Sequence, residues 1–118
     1  MCEVDMESMM EECIANCIEC EHVCLETITY CLEKGGAYAD ASHIRILMDC
    51  AEICRMAAGF MMRDSEFHMR TCLVCAEICA PCGESCEAFS DDLQLERCAE
   101  ICLICAESCT NMGELIAA

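Results

Sequence analysis

The run CLVCAEICAPCGESC at residues 72–86 sets cysteines at steps of three, four, three and four: Cys72, Cys75, Cys79, Cys82 and Cys86. An α-helix turns once per 3.6 residues, so these steps return a side chain to one face. The same steps recur in Cys13, Cys17, Cys20 and Cys24, with Cys31 two turns on, in Cys50 and Cys54, and in Cys98, Cys102, Cys105 and Cys109. A short repeat carries the pattern, CAEIC at 50–54, 75–79 and 98–102 and CAESC at 105–109. In each copy the cysteines lie one turn apart and the glutamate points away from them. Apolar neighbours such as Ile101, Leu103 and Ile104 flank the stripe, so the sulfurs are expected to face inward.

Breaks in the periodicity divide the chain into four. Gly35 and Gly36 suit a helix C-terminus, with Asp40 or Ser42 to cap the next helix. Asp64 can cap a third helix, and Ser90 or Asp91 a fourth. Helices are therefore expected at about 4–34, 41–62, 65–88 and 92–115. No stretch alternates with period two. Short connections between long helices favour antiparallel neighbours, which makes the chain all-α: an antiparallel up-down-up-down four-helix bundle with a cysteine-lined core, one domain over residues 1–118. Pro81 falls inside the third helix, where it removes a hydrogen bond and predicts a bend through which the stripe continues.

Seventeen of 118 residues are Cys, a density that in a short secreted chain marks a disulfide scaffold. The opening MCEVDMESMMEE instead carries acids where a secretory signal would be basic and then apolar. The expectation is a cytoplasmic, reducing setting, where cysteine patterns report metal or redox chemistry. The net charge of −17 repels nucleic acid and anionic membrane surfaces and gathers cations. No apolar stretch approaches the ~20 residues of a membrane span.

Cysteine is smaller than the Leu or Ile of bundle seams, so a core of thiols alone is underpacked. Disulfides along one helix face would be strained, because Cβ atoms there lie ≈ 5–6 Å apart against the ~3.8 Å a bridge wants. Soft metal remains. Thiolates select Cu(I), Zn(II) and iron–sulfur clusters. Zinc commonly uses C-x-x-C pairs on knuckles or turns, whereas Cys72/Cys75 and Cys102/Cys105 lie within continuous helical stripes. The usual iron–sulfur spacing is missing, and so is any C-x-C step of the metallothionein kind. Cu(I) accepts two or three sulfurs and can be bridged along such a column.

These residues resemble the bacterial copper storage proteins, four-helix bundles whose cysteine-lined cores bind many Cu(I) ions. The likeness spans nearly the whole chain and, with no export signal read, points to the cytosolic branch. It implies a homotetramer, close to one copper per cysteine, and storage rather than catalysis.

In this topology the N-termini of the first and third helices meet the C-termini of the second and fourth. Extending the stripes to that end brings together Met6, Met9, Met10, Met61, Met62, His68 and Met112, with Cys2 joining if the first helix starts early. Thioether and imidazole bind Cu(I) more weakly than thiolate, so Met9, Met61, His68 and Met112 suit its passage in and out. Leu47, Phe89, Leu93 and Leu95 are expected to plug the opposite end. His43 lies near the stripe there and reads first as a hydrogen-bonded histidine, second as a peripheral ligand; His22 reads as surface. Ile18, Leu25 and Leu32 suggest a second buried surface, from oligomerisation or a wide core.

Rival functions fit less well. A di-iron enzyme needs two E-x-x-H motifs, and the one present, Glu19 with His22, faces outward. CAPC at 79–82 lacks the strand-to-helix setting of a thiol redox motif. The stronger alternative is a zinc-braced structural bundle, which would take one metal per about four cysteines.

Overall fold

The computed structural model describes residues 5–114. Four helices carry the chain: α1 (Met6–Lys34), α2 (Ala41–Met62), α3 (His68–Glu87) and α4 (Leu93–Glu114), with a single 3-10 turn, Gly36–Ala39, between the first two. Cys2 lies outside the described residues.

Two of the boundaries follow from the expected residues. Gly35, at φ 75°, ends α1 in the left-handed region and donates its N–H to the Cys31 carbonyl. Asp40 caps α2 by accepting from the Ser42 N–H. The other two correct the sequence reading. Asp64 does not cap α3; it occupies a turn at φ 54°, and the helix starts later, at His68. Ser65 absorbs that turn, its hydroxyl accepting from the Phe67 N–H. Neither Ser90 nor Asp91 caps α4. Asp91 reverses the chain at φ 67°, and Asp92 takes the capping role, its Oδ1 accepting from Gln94 N at 3.0 Å and Leu95 N at 3.2 Å. The choice is tertiary, since Oδ2 of Asp92 also accepts from the hydroxyls of Tyr30 (2.8 Å) and Tyr38 (2.9 Å).

Each helix packs against its neighbours in sequence, and α4 closes the ring against α1. This is the up-down-up-down square, 47 × 28 × 20 Å overall. α3 and α4 approach so closely that a Cβ on Gly83 would stand 2.9 Å from Leu103 Cδ2, and one on Gly113 would collide with Leu73. Helix α3 runs unbroken past Pro81, whose ring faces solvent, and the buried stripe continues from Cys79 to Cys82 across it.

All sixteen described cysteines are at 0% exposure, and the repeat glutamates Glu52, Glu77, Glu100 and Glu107 are outside. Leu47 and Leu95 are fully buried at the plugged end, with half-buried Phe89 beside them, but Leu93 is 81% exposed and takes no part. Leu103 and Ile104 are likewise exposed, while Ile101 flanks the core as expected. Leu25 and Leu32 are also exposed, so the core is not the wide one they could have signalled. Among the described residues no helix is long and apolar enough to cross a membrane.

Candidate metal centre

The four stripes meet as one column of sulfur. Contacts between helices include Cys13–Cys109, Cys17–Cys105 and Cys54–Cys79 at 3.6 Å, Cys20–Cys50 at 3.8 Å and Cys24–Cys98 at 3.9 Å. These are free thiols, far beyond a disulfide bond length. Metal–thiolate bonds of about 2.3 Å place the sulfurs of one coordination shell about 3.8–4.0 Å apart. The column therefore already has nearly the spacing a metal would impose.

Five sets of sulfurs lie close enough to share an ion: Cys13/Cys72/Cys109, Cys17/Cys75/Cys105/Cys109, Cys54/Cys75/Cys79/Cys105, Cys20/Cys50/Cys54/Cys79 and Cys20/Cys24/Cys50/Cys102. Each set shares one or two sulfurs with the next. Cys82 extends the chain through Cys102 at 3.6 Å, Cys98 through Cys24, and Cys86 lies against Cys82 and Cys98. Helix α2 contributes only Cys50 and Cys54, at mid-column; towards the methionine end its inward positions are Ala57, Ala58 and Met61.

Burial opposes the thiolate form. It pushes the Cys31 thiol up to about 11. At Cys72 a hydrogen bond from Cys109 pulls downward, but Cys13 and burial outweigh it and the thiol is pushed up to about 12. No Lys or Arg is buried among the described residues; the buried polar and charged groups are Thr27, His43, His68 and Asp92. A thiolate formed in this core has no protein cation to neutralise it, so only an incoming metal can.

At the expected mouth, Met61 and Met112 are each 2% exposed and His68 is 8% exposed. Met9 and Met10 are half-buried against the core, while Met6 and Met62 turn outward. Met9 and His68 each stand one turn before a column cysteine, Cys13 and Cys72, and Met112 stands three residues beyond Cys109. The ring of His68 is oriented: its Nδ1 lies 2.7 Å from the Ser65 carbonyl oxygen. A carbonyl only accepts, so Nδ1 carries the proton and Nε2 keeps a free lone pair, the tautomer a metal ligand requires.

At the opposite end His43 is buried, with Nδ1 2.7 Å from Ser85 Oγ and Nε2 3.5 Å from Cys31 Sγ. Its reading as a hydrogen-bonded histidine holds, and His22 is on the surface. The polar cluster of Tyr30, Tyr38 and Asp92 closing this end escaped the sequence reading. Its members are distant in sequence, and no periodicity marks them.

The family model described as Csp: Copper storage protein matches residues 6–114. A solved structure from Nitrosospira multiformis is 40% identical, with TM-score 0.88, covering 92% of this chain and 98% of its own. The Cu(I)-bound copper storage protein BsCsp3 is 37% identical, with TM-score 0.83, covering 89% of this chain and 98% of its own. A cytosolic copper storage protein from Streptomyces lividans, solved with five coppers, is 28% identical with TM-score 0.82, over 90% of this chain and 92% of that one. A structure of the copper storage protein from that organism also exists loaded with 10 copper equivalents. With the match running through all four cysteine-bearing helices, the chain belongs to the copper storage protein family.

Proposed function

We propose that this protein is a non-catalytic, high-capacity store for Cu(I), held by the thiolates of Cys13, Cys17, Cys20, Cys24, Cys31, Cys50, Cys54, Cys72, Cys75, Cys79, Cys82, Cys86, Cys98, Cys102, Cys105 and Cys109. The observation that carries this reading is the sharing of sulfurs between successive sets. No more than two of the four-sulfur sets can be chosen without a common member, so closed tetrahedral zinc sites would leave much of the column idle. Bridging thiolates, each touching ions above and below, use all of it. Charge points the same way. One Cu(I) per thiolate is neutral, whereas a four-thiolate zinc site leaves two negative charges buried in a protein already at −17.

Each Cu(I) displaces a thiol proton, so loading releases acid and weakens as pH falls. Met9, Met61, His68 and Met112 form the door: softer donors than water, weaker than thiolate, at the end where the column begins. The protein works in the cytosol, as the Streptomyces relative does by its description. It assembles as a homotetramer, supported by the exposed Leu25 and Leu32 on α1, which a lone bundle leaves in water.

The test is anaerobic titration of the fully reduced protein with Cu(I), and separately Zn(II), against a chromophoric chelator. Saturation near one Cu(I) per cysteine is expected, with Zn(II) outcompeted. Saturation near one metal per four cysteines, with Zn(II) held equally well, would replace storage with a zinc-braced bundle.

A further inference from the structure

We propose that Cys31 and His43 form a separate Cu(I) site at the plugged end of the bundle, thiolate on one side and imidazole on the other, outside the sulfur column. The proposal rests on the storage reading and adds to it a ligand and a class of site.

Cys31 is the exception in the core. Four described cysteines, Cys31, Cys82, Cys86 and Cys98, fall outside the five sets, but Cys82, Cys86 and Cys98 still lie against other sulfurs, whereas the hydrogen-bonding partner of Cys31 is a nitrogen. That partner comes from another helix and is held by a third: Cys31 is on α1, His43 on α2 and Ser85 on α3. A metal–sulfur bond of about 2.3 Å and a metal–nitrogen bond of about 2.0 Å meeting at the tetrahedral angle span about 3.5 Å. The Sγ to Nε2 separation is 3.5 Å. Two-coordinate Cu(I), with its donors opposed, spans about 4.3 Å by the same bond lengths, so the thiol and the imidazole part by about 0.8 Å on binding.

The surroundings prepare the ring for this role. Ser85 Oγ, 2.7 Å from Nδ1, can take the Nδ1 proton and leave the Nε2 lone pair towards Cys31, the outer-shell arrangement that orients a ligating histidine. Phe89 covers the imidazole at 4.9 Å between centroids and is itself stacked on Tyr38 at 4.4 Å, and His43 is 4% exposed. The donor set selects the ion. One thiolate and one neutral imidazole around Cu(I) is uncharged, whereas Zn(II) there would keep a buried positive charge and lack four ligands. Binding is simple exchange: the Cys31 S–H bond gives its proton to solvent, the Cu–S and Cu–N bonds form, and no oxidation state changes.

The experiment uses the full reduced chain with 15N-labelled histidine, titrated anaerobically with Cu(I), following the ring nitrogens by NMR. His22, on the surface, serves as the internal reference. The Nε2 resonance of His43 is expected to leave the free-lone-pair position as copper loads. In His43→Gln, which keeps a polar group towards Cys31 but no soft nitrogen, affinity for one equivalent should fall about 10–100-fold while the rest load normally. Loading of the column to capacity with the His43 resonance unmoved would overturn this proposal alone. Failure of the protein to retain Cu(I) against the chelator at all would overturn it together with the storage reading. The wild-type spectrum decides the matter even if the variant does not fold.

Discussion

Cys54 Sγ lies 3.6 Å from Cys79 Sγ, and this pair of sulfurs belongs at once to two neighbouring four-sulfur sets. It is a shared edge, joining the half of the column nearer the methionine mouth to the half nearer the plug. The arrangement distinguishes a continuous store from a row of independent sites.

Removal of a shared sulfur should therefore cost more copper than removal of a terminal one. Cys54→Ala is expected to lower Cu(I) capacity by about two ions, and Cys86→Ala by about one, since a bridging thiolate serves two ions. Both apo variants should lose only about 1 kcal/mol of stability, the scale of a small core truncation. Titration endpoints and urea melts of the reduced proteins check the pair; equal losses of capacity would mean that the sets fill independently.

His68, ring fixed by the Ser65 carbonyl, should affect the rate of loading rather than its extent. His68→Ala is expected to slow Cu(I) uptake about tenfold with the final capacity nearly unchanged. Stopped-flow absorbance at the copper–thiolate band measures this. An unchanged rate would remove His68 from the path.

Asp92 should govern stability in acid. Burial pushes its carboxyl up, but hydrogen bonds from Tyr30, Tyr38, Leu95 and Gln94 pull harder and hold it below the ordinary 3.8. A depressed carboxylate contributes stability that is present above its unfolded value and lost as pH falls through the folded one. The same bond pushes Tyr30 up to about 12 from 10.0, a contribution present below 10 and lost as pH rises through 12. Asp92→Asn should cost about 1–3 kcal/mol at neutral pH, from the weakened cap and tyrosine bonds. Apo wild type should converge on the variant as pH falls below about 4. Thermal melts between pH 3 and 7 test this, and a gap that stays constant with pH would refute it.

Pro81 faces solvent within a continuous helix, and its ring withholds one main-chain hydrogen bond from the carbonyl of Glu77. Pro81→Ala should raise apo stability by about 1–3 kcal/mol and leave copper capacity alone, because the stripe already runs through the site. Loss of copper on this substitution would show that the local helix geometry at Pro81 sets the positions of Cys79 and Cys82.

By itself the sequence determined the helices, their number and the side on which sulfur lies. Spacings of three and four are a property of a single helix, and burial of sixteen cysteines follows once four such faces need cover. The methionine and histidine end was legible for the same reason, since up-down-up-down order follows from short connections. Tertiary structure decided which sulfurs meet. That Cys20 faces Cys50 and Cys102, or that Cys54 closes on Cys105, depends on the relative height and rotation of separate helices. It also moved the α4 cap to Asp92, where two tyrosines converge, left Leu93 in water although it read as part of the plug, and left Leu103 and Ile104 partly exposed although they read as flanking the stripe. Local periodicity resolves a face to within about one residue position, 100° of helix; contact across a bundle is settled at a few tenths of an ångström. The pairing of Cys31 with His43 is of the second kind, which is why spacing alone left His43 between a structural and a ligating role.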